Sequence, residues 1–352
     1  MTYIFDIKEA DINICKDADT FLQSLMWGLF KSRFGWTAKA FLVDWGQEKL
    51  PLLVLVRTLV RGFSFAYVPW GPELPATIPE ESRSIALAQL AGKLKQFLVK
   101  NTAFVRFEPP WFYTGNKGQE NKGRENTFFL ATGFREAAAT VQPPDTVILD
   151  LKASSEEILS SMKPKWRYNI SLSRKKGVEV NLAVERELDI FYGLLKETAA
   201  RDGIAVHSFE YYQTLFEICK EHIDNKINLY IAKHENDILA SIIVLFRGKY
   251  ATYLYGASSN LKRDLMASYA LQWKAIQDAK EAGCLYYDFF GIPPCDDPNH
   301  PMAGLYRFKT GFGGQIVHRP GSWDYVYKPF FYTFFSMAEG IRKKLRDIRK
   351  KR

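Results

Sequence analysis

"INLYIAKHENDILASIIVLFRGKYATYLYGASS", residues 227–259, reads as three strands in succession. "INLYIAKH", "LASIIVLFRG" and "YATYLYGASS" are rich in β-branched and aromatic residues, and the polar "ENDI" between the first two is a tight turn. Upstream, "LDIFYGLLKETAARDG" and "FEYYQTLFEICKEH" carry helical periodicity, with Gly203 as a stop for the first. Downstream come a helix, "SYALQWKAIQDAKEAG", ended by Gly283, and the strand "CLYYDFFG".

The first half repeats this order. A helical "TFLQSLMWGLFKSRF" precedes the strand "AKAFLVDW", the turn "GQEK", and the strands "LPLLVLVRTLV" and "FSFAYVPWG". A helix "SIALAQLAGKLKQFLV" and a strand "AFVRFEP" follow. The same order twice, at a period near 170 residues, indicates duplication of a domain (roughly 100–200 residues is the ordinary domain size). Between the halves, "ATVQPPDTVILDLKASSEEIL" holds a proline pair and then the capping-box pattern Ser154 to Glu157, which starts a new helix. We therefore expect a first domain over 1–150, completed by 322–352, and a second over 151–321.

Helix, meander, helix and strand is the order of the mixed α/β fold of GNAT acyltransferases, so the expected class is α/β with two tandem GNAT-like domains. That fold grips the pyrophosphate of CoA through a glycine-rich turn at the start of the helix after the meander. Here the two junctions read "KRDLMASYALQW" and "EESRSIALAQ", both without glycine, and no cofactor is expected.

The formal net charge is +9, and two short stretches more than account for it. "IRKKLRDIRKKR", 341–352, has eight basic residues and one acid, and "KPKWRYNISLSRKK", 163–176, has six basic residues and none acidic. Such clustering excludes a uniformly basic protein and favours two contact patches for phosphates or an anionic membrane. The N-terminus lacks the pattern of a signal peptide, and the longest uncharged apolar run, "ILASIIVLF", is far short of a spanning helix. The four cysteines, Cys15, Cys219, Cys284 and Cys295, form no CxxC pair, which suits a reducing compartment. "CDDPNH", 295–300, matches no metal-ligand spacing and reads as a turn-rich loop, so no metal is expected.

"SMKPKWRYNISLSRKKGVEV", "YLYGASS", "ASYALQWKAIQDAKEAGCLYYDFFGI", "LYRFKTGFGG" and the following Trp323 together form a recognisable series. The sequence resembles the FemABX family of peptidyltransferases that build peptidoglycan cross-bridges, across essentially the whole chain. The resemblance implies transfer of an amino acid from aminoacyl-tRNA to the stem-peptide amine of a UDP-MurNAc-peptide or lipid-linked precursor, in the cytoplasm or at the inner face of the membrane. No stretch has the heptads of the coiled-coil insertion that some members carry, so the chain is similar to the compact, FemX-like members.

An aminoacyl ester is already activated, so its aminolysis needs proximity, loss of a proton and stabilisation of an oxyanion, with no nucleophilic Ser or Cys. None is evident in a sequence without GxSxG. Lys309 and Phe308 match the family's Phe-Lys pair, which implies a cation on a strand edge facing the oxyanion or tRNA phosphates, and a ring for the terminal adenine. Read from residues alone, Lys309 is equally a side chain snorkelling beside buried aromatics. Lys31, with Trp27 one turn earlier, falls where the family offers a lysine to nucleotide-sugar phosphates. In "RDGIAVHSFEYY" the match places His207 and Tyr211 where the family has Arg and Tyr on the same ligand. Neutral His lacks the five-donor fork of Arg, leaving weaker diphosphate affinity or substitution by Arg201 as alternatives. Tyr253 and Tyr255 alternate with Leu254 and are expected on one strand face, lining a cleft or packing a core.

Glu108 stands where the family often has Asp before Pro, a position considered as an acid-base group, but a surface carboxylate is the favoured reading. Lys163, Lys165, Arg167 and Arg307 are assigned to tRNA phosphates, the first three on a helix expected to be cationic on both faces. "KPFFYTFFSMAEGIRKKLRDIRKKR", 328–352, joins an aromatic patch to a basic helix, the pattern of an interfacial membrane element. The resemblance implies instead that the aromatic part packs onto the first domain. Transfer to a lipid or protein acceptor, and a non-catalytic tRNA-binding protein, are the alternative functions.

Overall fold

The computed structural model describes residues 3–59, 62–114, 127, 129–222 and 224–351, with side chains to Leu345. The first elements are β1 (Asp6–Ala10), α1 (Leu25–Ser32), β2 (Thr37–Asp44), β3 (Lys49–Thr58), β4 (Ser64–Val68), α2 (Glu80–Leu94), β5 (Thr102–Phe107), β6 (Tyr113–Thr114) and β7 (Arg135–Glu136). There follow β8 (Asp145–Asp150), α3 (Ser155–Ser161), α4 (Pro164–Lys175), β9 (Glu179–Ala183), α5 (Leu188–Asp202), α6 (Phe209–Glu221), β10 (Lys226–His234), β11 (Asp237–Arg247) and β12 (Tyr250–Ser258). The chain continues through α7 (Ala267–Glu281), β13 (Tyr286–Asp288), α8 (Ala303–Thr310), β14 (Gln315–His318), β15 (Trp323–Val326) and α9 (Pro329–Lys351).

Two compact units result, one from residues 1–144 with 317–348 and the other centred on 145–316. The divisions fall before the expected 150/151 and 321/322. The physical reason for the first is that β8 pairs antiparallel with β13 and so enters the second sheet.

The first unit holds a seven-stranded sheet, β1-β2-β3-β4-β5-β15-β7. β1 to β4 are antiparallel neighbours, whereas β4 and β5 run parallel because α2 carries the chain across. The alternation of β3 is submerged in a continuous apolar run, Leu52 to Val56, whose side chains are all buried. The first predicted helix is broken: Phe21–Gln23 form a 3₁₀ turn and Ser24 starts α1 by accepting a bond from Trp27 N at 3.2 Å.

The aromatic start of α9 belongs to this unit. Phe331 stacks on Phe63, and Phe335 and Tyr332 contact Phe104. Arg106, wholly buried, forks onto Asp324 at 2.7 and 2.8 Å and onto Glu339 at 2.8 and 2.9 Å. Removing one partner from such a pair typically costs about 3–5 kcal/mol, so this network ties β5, β15 and α9 together.

In the second unit the strands run β8-β13-β12-β11-β10-β9. β9 to β12 are antiparallel, and α7 crosses to the parallel β13. Gly203, with φ +64°, closes α5 in the left-handed region that glycine adopts without cost. Trp166 of α4, Leu271 and Ile276 of α7, and Tyr287 of β13 share one apolar core.

Candidate functional site

Lys309 lies in the last turn of α8, not on a strand. "AGLYRFKT" lacks a β-branched run, and Thr310 caps its own turn by donating to Tyr306 O at 2.9 Å. The side chain is buried. Its Nζ donates to Phe290 O and Gly291 O, both at 2.9 Å, and lies 5.0 Å from the Tyr253 ring centroid. Burial pushes the ammonium down to about 7, against the opposing pull of Asp288. An ammonium has three N–H donors, so two carbonyls leave one to direct elsewhere.

The carbonyls are themselves held. Asp288 Oδ1 accepts from the Thr146 hydroxyl and from Phe290 N at 2.8 Å, and Phe290 takes a φ of +54°. A non-glycine residue in that region carries strain of about 1–3 kcal/mol, sustained here by the Asp288 contact. Asp288 and Phe290 had no marker in the sequence beyond the strand "CLYYDFFG".

Phe308 is partly buried and sits edge-on to Tyr269 and Phe312, each at 5.2 Å. Trp166 Nε1 donates to Phe308 O at 2.9 Å, and Lys163 N donates to Gly311 O at 2.9 Å, joining α4 to α8. Gly311 is required by that approach, since a Cβ there would lie 2.1 Å from the Trp166 ring. Gly314, at φ +85°, lies against Ile148 O and likewise has no room for a side chain.

α4 is amphipathic rather than cationic on both faces, because Trp166, Asn169, Ile170 and Ser173 are buried. Lys163, Lys165 and Arg307 are exposed, whereas Arg167 turns back to donate to Ser160 O at 2.9 Å and Met162 O at 2.6 Å. Arg167 thus closes the end of α3 instead of projecting outward.

Tyr253 and Tyr255 do not act as one face. The β11–β12 register shifts between Ile243 and Val244, leaving Leu254 as the extra residue of a bulge. Tyr253 joins Lys309, while Tyr255 packs edge-on to Tyr212 at 5.1 Å. The exposed His207 stacks on the buried Tyr211 with centroids 3.8 Å apart, giving a second aromatic group. The Arg201 guanidinium donates to protein acceptors, Ser258 O at 2.9 Å, Asn260 Oδ1 at 3.1 Å and Asp202 Oδ1 at 2.9 Å.

In the first unit, Lys31 Nζ lies 5.4 Å from the Trp27 ring centroid and 5.9 Å from that of Trp36, and the Arg57 guanidinium lies 5.3 Å from Trp36. Burial, and secondarily Arg57, push Lys31 down to about 8. The indole N–H groups of Trp27 and Trp36 are buried without a hydrogen-bond partner. Two cations and two orphaned donors in one place form an environment that an anion would stabilise. Arg57 and Trp36 were not identified from sequence: Arg57 reads as an interruption of the apolar strand "LPLLVLVRTLV", and Trp36 as one more aromatic at the end of "WGLFKSRFGW".

Glu108 is buried, contrary to the surface reading. It accepts from Val141 N at 2.8 Å, Gln142 N at 3.0 Å, Ser322 Oγ at 2.5 Å and the Tyr67 hydroxyl. Burial raises its carboxyl above the ordinary range, opposed by these donors. Tyr67 in turn lies 5.9 Å from Trp36, so the network reaches the Lys31 environment. Residues 295–300 form a bend-rich loop, and among the described residues no cluster of His, Cys, Asp or Glu has metal-binding geometry.

The FemAB family profile matches residues 14–233 and 220–340. Lipid II:glycine glycyltransferases are similar along most of their length: that of Staphylococcus haemolyticus is 25% identical, covering 90% of each chain, and that of Staphylococcus aureus is 22% identical with the same coverage. The first alignment runs to 386 positions, more than the 352 residues here, so that relative has residues with no counterpart in this chain. Among solved structures, FemX superposes with a TM-score of 0.78 at 20% identity, covering 94% of this chain and all of FemX. A tandem GNAT protein from clavulanic acid biosynthesis superposes with a TM-score of 0.53 at 12% identity, covering 92% of this chain and 98% of its own. The fold is therefore α/β with tandem GNAT-like domains.

Proposed function

Because the chain belongs to the FemAB family, we propose that it is an aminoacyltransferase that moves an amino acid from aminoacyl-tRNA to the stem-peptide amine of a peptidoglycan precursor. The observation that carries this reading is the buried Lys309 ammonium, fixed by two carbonyls with one N–H to spare. The acceptor amine attacks the ester carbonyl and forms the C–N bond, and Lys309 donates its free N–H to the developing oxyanion. Collapse breaks the bond to the ribose oxygen, which takes up the proton the amine loses. Fixed donors of this kind contribute about 10²- to 10³-fold to rate.

Phe308 offers a partly exposed ring to the terminal adenine, and the exposed Lys163, Lys165 and Arg307 offer charge to tRNA phosphates. Lys31, supported by Trp27, Trp36 and Arg57, suits the diphosphate that UDP-linked and lipid-linked precursors share. His207, Tyr211, Tyr253 and Tyr255 are assigned to recognition of the substrate. The names of the staphylococcal relatives favour a lipid-linked acceptor, used at the cytoplasmic face of the membrane, and glycine as the first amino acid to test.

Mass spectrometry of precursors incubated with the protein and a charged tRNA pool tests the acceptor. A gain of one residue mass on the stem peptide of the lipid-linked precursor supports the reading. Modification only of an added phospholipid or protein would replace it with transfer to that class.

A further inference from the structure

The start of α9 has two apolar faces, and only one is covered. Phe331, Tyr332 and Phe335 pack into the first unit, with Glu339 drawn inward onto Arg106. Phe330, Phe334, Met337, Ile341 and Leu345 follow one another at intervals of three or four residues on the other side, each between 55% and 68% exposed. Phe330 and Phe334 contact each other edge-on at 4.9 Å. The stripe extends for roughly 22 Å at 1.5 Å per residue, and five large apolar side chains in one row exceed the scattered exposure of an ordinary surface.

Charge narrows the choice of occupant. Arg342, Lys343 and Lys344 are exposed, and Lys344 stands seven residues after Met337, flanking the stripe. The stretch 341–352 holds eight basic residues against one acid. Among the described side chains of α9, the acidic one is Glu339, which is engaged by Arg106. An apolar stripe beside dense positive charge complements a surface that is apolar below and anionic above.

We propose that α9 is a bilayer-docking element that lies in the plane of an anionic phospholipid surface, with Phe330, Phe334, Met337, Ile341 and Leu345 inserted among the acyl chains and the lysines and arginines at the headgroups. The inference builds on the proposed lipid-linked acceptor, because docking places the enzyme on the surface where such an acceptor resides. α9 is not a spanning helix, and no helix among the described residues is long and apolar enough for that.

Co-sedimentation of the full chain with vesicles of phosphatidylglycerol and phosphatidylcholine, compared with phosphatidylcholine alone, tests this without any precursor present. Wild-type protein binds the anionic vesicles on the order of tenfold or more tightly than the neutral ones at about 0.15 M salt. Phe334→Glu with Ile341→Glu reduces that binding by about tenfold or more, and Arg342→Glu with Lys344→Glu removes the preference for anionic lipid, both with unchanged thermal melting. Equal binding of both vesicle types, or undiminished binding by the Phe334/Ile341 variant, overturns the proposal. So does conversion of a wild-type dimer to monomer by that variant, which assigns the stripe to a second copy, or a matching loss of tRNA affinity, which assigns it to nucleic acid. Vesicle binding by a protein that labels no precursor leaves docking intact and removes the proposed reaction.

Discussion

Each unit sets a lysine beside aromatic rings, Lys309 buried and Lys31 partly buried, and the two environments differ in what they leave unsatisfied. Lys309 faces acceptors and a π face: two backbone carbonyls, the Tyr253 ring and Asp288. Around Lys31 stand a second cation, Arg57, and two indole donors without partners. The first arrangement fixes a donor at a defined point, which is what a transient oxyanion requires. The second accumulates positive potential and unused donors, which is what a bound anion requires. On the proposed reading, the same residue type, buried in one case and partly buried in the other, serves rate in one unit and affinity in the other.

Substitution separates the two roles. Lys309→Met is expected to lower kcat by about 10²- to 10³-fold while tRNA affinity stays within a few-fold, as measured by transfer kinetics and filter binding. Lys31→Ala is expected to raise the KM for the diphosphate-bearing precursor by about tenfold or more with a smaller change in kcat, consistent with charge-assisted bonds worth about 1.5–3 kcal/mol. An effect of Lys31→Ala confined to kcat would break the comparison.

Titration sharpens it. If protonated Lys309 stabilises the oxyanion, kcat falls as pH rises through about 7, whereas precursor affinity persists until Lys31 loses its proton near 8. Both lysines titrate lower in the folded chain than the ordinary 10.5, so the unfolded chain binds more protons between these values. Stability therefore rises with pH from about 7 towards 10, by at most about 1.4 kcal/mol per unit for each lysine, and denaturant melts across that range measure it.

Most of the fold was legible because it rests on local signals. The glycine stop at Gly203, the capping box at Ser154, and two successive meanders are visible as residue patterns. Boundaries were less so, since β8 enters the second sheet through a long-range pairing with β13. The site was legible as residues but not as geometry. Lys309 and Lys31 stood out, yet Lys309 sits on a helix, and the Leu254 bulge separates two tyrosines whose simple alternation placed them together. Glu108 reads as an exposed carboxylate until Val141, Gln142, Ser322 and Tyr67 are seen to surround it. Those contacts join residues up to 214 positions apart, a separation no local pattern encodes.

The most direct test follows radiolabelled glycine from charged tRNA into lipid-linked precursor, comparing wild type with Lys309→Met under single-turnover conditions and with tRNA destroyed by ribonuclease. The account predicts label in the precursor for wild type, a rate lower by about 10²- to 10³-fold for Lys309→Met, and no label after ribonuclease. Equal rates in the two proteins, or labelling that survives ribonuclease, would contradict it.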